Sequence, residues 1–80
     1  MTHTEATATV ELGGEERDVL VRAYVERTRI YGGSMGYRID GEVEAFIDGE
    51  WRDLEDLGPT KLDLRIIDEA ICDAAEARAA

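Results

Sequence analysis

Asp18-Val19-Leu20-Val21-Arg22-Ala23-Tyr24-Val25-Glu26-Arg27-Thr28-Arg29-Ile30-Tyr31 decides the fold. Val19, Val21, Ala23 and Val25 share one side of this stretch, and Leu20, Arg22, Tyr24, Glu26 and Thr28 share the other. A period of two builds a half-buried strand. At about 3.3 Å per residue the ribbon exceeds about 40 Å. Its last third, carrying Arg27 and Arg29, leaves the apolar pattern and is expected to project past the core.

Upstream, Ala6 to Leu12 repeats the alternation, with Ala6, Ala8, Val10 and Leu12 opposite Thr7, Thr9 and Glu11. Gly13-Gly14 between the two strands permits positive φ at two successive positions and predicts a two-residue hairpin turn. Residues 1–5 read as a frayed polar terminus. Downstream, Gly32-Gly33-Ser34-Met35-Gly36 punctuates the chain, and the tetrad Ile39-Asp40-Gly41-Glu42 returns as Ile47-Asp48-Gly49-Glu50. Asp-Gly favours tight type I′ turns, so two hairpin turns flanking Val43–Phe46 are expected in a meander of short strands. Val43, Ala45 and Ile47 share one face of it, and Glu42, Glu44, Phe46 and Asp48 the other. Trp51 and Leu54 follow on the last strand.

The period then changes. Thr60 and Asp63 form a capping-box pattern after Pro59, with a helix start at Asp63 as the alternative, in which Leu62-Asp63-Leu64 closes the strand region. Ile66, Ile67, Ala70, Ile71, Ala74 and Ala77 fall on one helical arc, opposite Arg65, Asp68, Glu69, Asp73 and Glu76. Strands followed by one helix define an α+β domain. The expectation is an antiparallel β-sheet, a meander of about four to five strands, with one C-terminal amphipathic helix packed on one face. Residues 1–80 read as a single small domain.

Of the 80 residues, 19 are acids and 9 are Lys or Arg, giving a net charge of −10. That sign argues against direct contact with nucleic acid or an anionic membrane. No secretory signal or apolar span of about 20 residues is present in the sequence. The single Cys72 cannot form an internal disulfide, which suits a reducing, cytoplasmic setting.

No residue set points to catalysis, a metal or another cofactor. His3, the only histidine, sits in the terminal segment without the fixed geometry a general base needs. Cys72 lies on the polar side of the helical wheel among Asp68, Glu69, Asp73 and Glu76, whose charge raises its pKa, the reverse of a catalytic thiol. It reads as semi-exposed, with an intermolecular contact across a twofold axis as the sharper alternative. The glycine-rich segment lacks the Lys-Ser/Thr ending of a phosphate loop. The adaptable Met35 between Tyr31 and Tyr37 makes that segment a candidate contact loop. Each Asp-Gly pair is explained by turn chemistry rather than by calcium binding.

Charge placement is the strongest functional signal. Residues 1–39 hold six acids and five bases, whereas residues 40–80 hold thirteen acids and four bases. Asp40, Glu42, Glu44, Asp48, Glu50, Asp53, Glu55 and Asp56 face only one nearby base, Arg52. Glu69, Asp73 and Glu76 add a helical stripe. Like charges at this density repel one another, and a surface built this way complements a basic partner. A solvated face, partly paired across strands with Arg22, Arg27 and Arg29, is the plainer alternative.

In its format the chain resembles the small acidic phage-encoded anti-CRISPR proteins, an inhibitor of a type I system, subtype I-C, being the nearest case. A single 80-residue α+β domain carries the acidic run Asp40-Gly41-Glu42-Val43-Glu44, Asp48-Gly49-Glu50 and Asp53-Leu54-Glu55-Asp56. The resemblance implies a non-catalytic inhibitor that binds the Cascade complex, a basic nucleic-acid-binding partner, and blocks target DNA, acting as a DNA mimic. The alternative is a small phage structural or assembly protein that oligomerises, as a homodimer for instance, through its sheet edge. A small hydrolase is the least supported class.

Overall fold

The computed structural model describes residues 2–29 and 35–79. Four antiparallel strands, β1 (Thr2–Val10), β2 (Arg17–Arg29), β3 (Met35–Ile47) and β4 (Glu50–Asp53), lie in sequential order. A 3₁₀ turn at Leu54–Leu57 leads to helix α1 (Lys61–Ala79). The helix packs on one face of the sheet, giving the expected α+β fold. Among the described residues no helix is long and apolar enough to cross a membrane.

Alternation in β2 delivers the core. Val19, Val21, Ala23 and Val25 are buried beneath the helix, together with Ala8 and Val10 of β1 and Ala45 and Ile47 of β3. Ile67, Ile71 and Ala75 close this layer from the helix, and Leu12 and Leu54 close it from the connections. The helix is turned slightly from the arc its sequence suggests. Its buried row runs Asp63, Ile67, Ile71 and Ala75; Ile66, Ala70 and Ala74 are half-buried, and Ala77 is exposed.

The capping box forms in full. Thr60 N donates to Asp63 Oδ2 at 3.0 Å, and Asp63 N donates to Thr60 Oγ1 at 3.1 Å. The second carboxylate oxygen of Asp63 accepts Glu11 N at 3.1 Å, tying the helix start to the β1–β2 connection. These backbone donors, Thr60 first, hold the Asp63 pKa below its ordinary value despite burial.

Four expectations are corrected. Residues 2–5 are not frayed: Thr2 pairs with Val25 and Thr4 is fully buried, because β2 is long enough to template the whole of β1. The first hairpin is closed by more than two residues. Val10 pairs with Arg17, and a 3₁₀ turn at Leu12–Gly14 accommodates positive φ at Gly13 and Gly14 while it buries Leu12. Asp48-Gly49 makes the expected tight turn, with φ of 51° and 85°. Asp40-Gly41 does not: it lies within the continuous β3. Arg22 pairs with Glu44 and Tyr24 with Asp40, so Gly41, Glu42 and Val43 stand opposite Ala23 alone. This bulge adds two residues, which preserves the phase of the strand. Tyr37 and Ile39 therefore remain on the helix side with Val43, Ala45 and Ile47. Finally, Leu54 lies in the 3₁₀ turn rather than on the last strand.

Two outcomes follow from these contacts. Asp63 has a lowered folded pKa, so its stabilisation is complete above the ordinary Asp value near 3.9 and is lost as pH falls through the folded value. Thermal melts of Asp63→Asn across pH should show a lower midpoint at neutral pH and a flatter acid limb than the parent. Gly41 has φ +87° and open space around its missing Cβ, so Gly41→Ala meets only a backbone penalty. Denaturant unfolding should show a loss of about 1 kcal/mol.

Candidate partner-binding surface

The face of the sheet turned away from the helix is organised in cross-strand rows. His3, Tyr24 and Asp40 form one row, and Glu5, Arg22, Glu44 and Asp53 form the next. Thr7 with Leu20, and Phe46 with Trp51, extend the face beyond them. Glu26 and Arg38 pair at the other end. Two aromatic contacts flank the charged row: His3 and Tyr24 have ring centroids 5.0 Å apart, and Phe46 meets Trp51 edge-on at 5.2 Å. Arg22 reaches across the sheet between them. Its Nε donates to Glu44 Oε1 at 3.0 Å, and its guanidinium carbon lies 3.9 Å from the Trp51 ring centre.

A second feature adjoins this face at the bulge. Glu42, Val43, Asp53, Leu54 and Glu55 line one hollow with Leu64, while Glu42 also lines another with His3, Arg22, Tyr24, Asp40 and Glu44. The carboxylate of Asp53 raises the Glu42 pKa above its ordinary value, chiefly by repulsion and also through a hydrogen bond, and Glu55 and Asp56 add to the repulsion. Asp53 is held in place because Oδ1 accepts Glu55 N at 3.0 Å, capping the 3₁₀ turn.

Of the acidic residues singled out from sequence, the fold therefore assembles Asp40, Glu42, Glu44, Asp53, Glu55 and Asp56 around the bulge and the adjoining sheet face. It separates the others. Asp48 occupies the β3–β4 turn, and Glu50 pairs with Arg52 at 2.8 Å. Glu69 pairs with Arg65 one helical turn away, and Asp73 and Glu76 are exposed on α1, which covers the opposite side of the sheet.

The contact-loop residues are also dispersed. Tyr31 lies outside the described residues, Met35 is exposed at the start of β3, and Tyr37 is half-buried against the core beneath the helix. Cys72 is half-buried, in keeping with the semi-exposed position expected from the sequence. Its Sγ lies 3.6 Å from the Tyr37 carbonyl oxygen and 3.7 Å from Asp68 Oδ1. Burial first, then Asp68 and Asp73, push its pKa up to about 11, in the direction the acidic neighbours predicted. His3, expected to lack a fixed position, is held in β1 against Tyr24. Among the described residues no three His, Cys, Asp or Glu side chains are grouped to hold a metal ion.

The sequence reading missed the aromatic part of this surface. Its signal was present: Leu20, Tyr24 and Phe46 are large apolar residues in the solvent phase of their strands. Comparison with protein-family models, curated proteins and solved structures returned no match to this chain.

The crowding at the bulge has a measurable consequence. Glu42 should titrate above a free glutamate in a carboxyl-detected NMR titration. Asp53→Asn, which retains the capping oxygen, should bring it down. Because the folded pKa is raised, the protonated form favours the fold, and that contribution is lost as pH rises through the folded value. Asp53→Asn should flatten this loss.

Proposed function

We propose that this chain is a non-catalytic cytoplasmic protein that binds a basic, nucleic-acid-binding partner through its acidic surface. The observation that carries this reading is the gathering of carboxylates at the bulge: Glu42, Asp53 and Glu55 line one hollow, and Glu42 shares the adjoining one with Asp40 and Glu44. A surface selected only for solubility disperses such charges; one that meets cations on a partner gains by concentrating them. Its resemblance in format to anti-CRISPR proteins makes the type I Cascade complex the first partner to assay, with the acidic surface competing for the groove that receives target DNA.

A structural or assembly role has its own supporting feature. β4 pairs with β3 only over Glu44–Ile47, so the outer side of Met35–Val43 has no partner strand among the described residues. Such an edge can pair with a second copy.

The test is capture of purified Cascade by the immobilised protein, with target-DNA binding measured in parallel. The expected result is capture that excludes DNA at low salt and weakens as salt rises. Glu42→Lys with Asp53→Lys should weaken it at least about tenfold, and the remote exposed pair Glu15→Lys with Glu16→Lys far less. Absence of capture, together with a defined homodimer by light scattering, would favour assembly through the β3 edge.

A further inference from the structure

Resting on the basic-partner reading above, we propose that the helix-free sheet face is the docking surface, and that its occupant is an arginine-bearing basic segment of a partner protein. The apolar side chains of that segment would seat on Leu20, Tyr24 and Phe46 while its cations meet the intervening row of carboxylates.

Exposure marks the face first. Tyr24 is 55% exposed, Phe46 40% and Leu20 37%, whereas the valines of the same strand on the helix side are at 3% or less. One helix covers one face of a sheet, and a bare face in contact only with water has no use for large apolar side chains arranged about a charged row. Exposed aromatic side chains are the residue type enriched at protein interfaces relative to the rest of a surface.

Charge then selects the occupant. In the central row, Glu5, Glu44 and Asp53 accompany one cation, Arg22, which already contacts Glu44. Asp40 stands beside Tyr24 in the next row. A second copy docked face to face would set this acidic row against itself and remove like charges from water together. Nucleic acid carries the same sign. A basic protein segment satisfies both the carboxylates and the apolar positions.

Aromatic chemistry favours arginine over lysine. The chain itself stacks a guanidinium 3.9 Å from the Trp51 ring centre, and Tyr24 offers a second, more open ring. Guanidinium is planar and weakly hydrated, so it can stack on a ring and pair with a carboxylate at once.

Trp51 is the only tryptophan and lies within this face, so its fluorescence reports occupancy. The probe is a short synthetic peptide alternating Arg and Leu, with a Lys-Leu counterpart. The expected result is a saturable change in Trp51 emission, tighter binding of the Arg peptide, and weakening of at least about tenfold in Tyr24→Ser and in Phe46→Thr. Glu15→Lys with Glu16→Lys should stay within about threefold. Leu20→Thr gives the same readout if Phe46→Thr fails to fold. Equal binding by the parent and both aromatic variants would overturn the face assignment while leaving the basic-partner reading intact. A Trp51 signal that depends on protein concentration without peptide, with dimers in light scattering, would overturn it in favour of a second copy. No peptide binding to the parent would overturn it too, with salt-sensitive Cascade capture deciding the broader reading separately.

Discussion

The Asp63 carboxylate joins the two layers of this protein. It accepts backbone donors from Thr60 and from Glu11, fifty-two positions apart from it in the second case, and it is 3% exposed. The helix start supplies unpaired N–H groups and a positive dipole end, so an anionic acceptor there is favoured over a neutral one. Anchoring Asp63 at the sheet end also sets the rotation of the helix. Residues at four-residue spacing follow it inward, which buries Ile67, Ile71 and Ala75 and leaves Ala77 outside. The helical arc alone would centre the buried side elsewhere; a single polar anchor moves it by a fraction of a turn.

With the helix fixed on one face, an 80-residue chain has no second layer for the other. Small domains leave much of their surface wet, yet the wet face here is not uniformly polar. The long β2 strand contributes valines inward, and Leu20, Arg22, Tyr24 and Glu26 outward in that order. The two-residue bulge at Gly41–Glu42 shapes this face further. It keeps the inward phase of β3 while bringing Glu42 beside Asp53 at the entry to the 3₁₀ turn. A one-residue bulge would have put the two halves of β3 out of phase, turning either Tyr37 and Ile39 or Val43 and Ile47 away from the core.

Local signals were legible in the sequence: the period-two pattern of β2, the Thr60/Asp63 box, and the Asp48-Gly49 turn. The fate of Asp40-Gly41 was not, although the dipeptide is identical. The difference is non-local. A turn at Asp40 would strip the second half of β2 of the partners it has from Tyr24↔Asp40 to Arg29↔Met35. Those ladder bonds outweigh a dipeptide preference, and Gly41 supplies its positive φ to a bulge instead. The acidic run misled in a related way: one linear stretch is divided among a turn, a sheet face and a 3₁₀ segment, so only part of it converges. The aromatic rows were readable as apolar residues out of phase, but β2–β3–β4 register is what gathers them.

Charge and apolar surface on the open face depend on each other. Carboxylates in water repel weakly and are screened over about 8–10 Å at ordinary ionic strength. Where they crowd at the bulge the repulsion is felt locally: Asp53, with Glu55 and Asp56 behind it, raises the pKa of Glu42. That repulsion opposes the fold while the face is empty. A cation placed among these groups would reverse its sign, and apolar contacts on either side would exclude the water that screens it. Relief of intramolecular repulsion thus adds to whatever attraction a basic segment brings, and an aromatic face without the acids could not supply it.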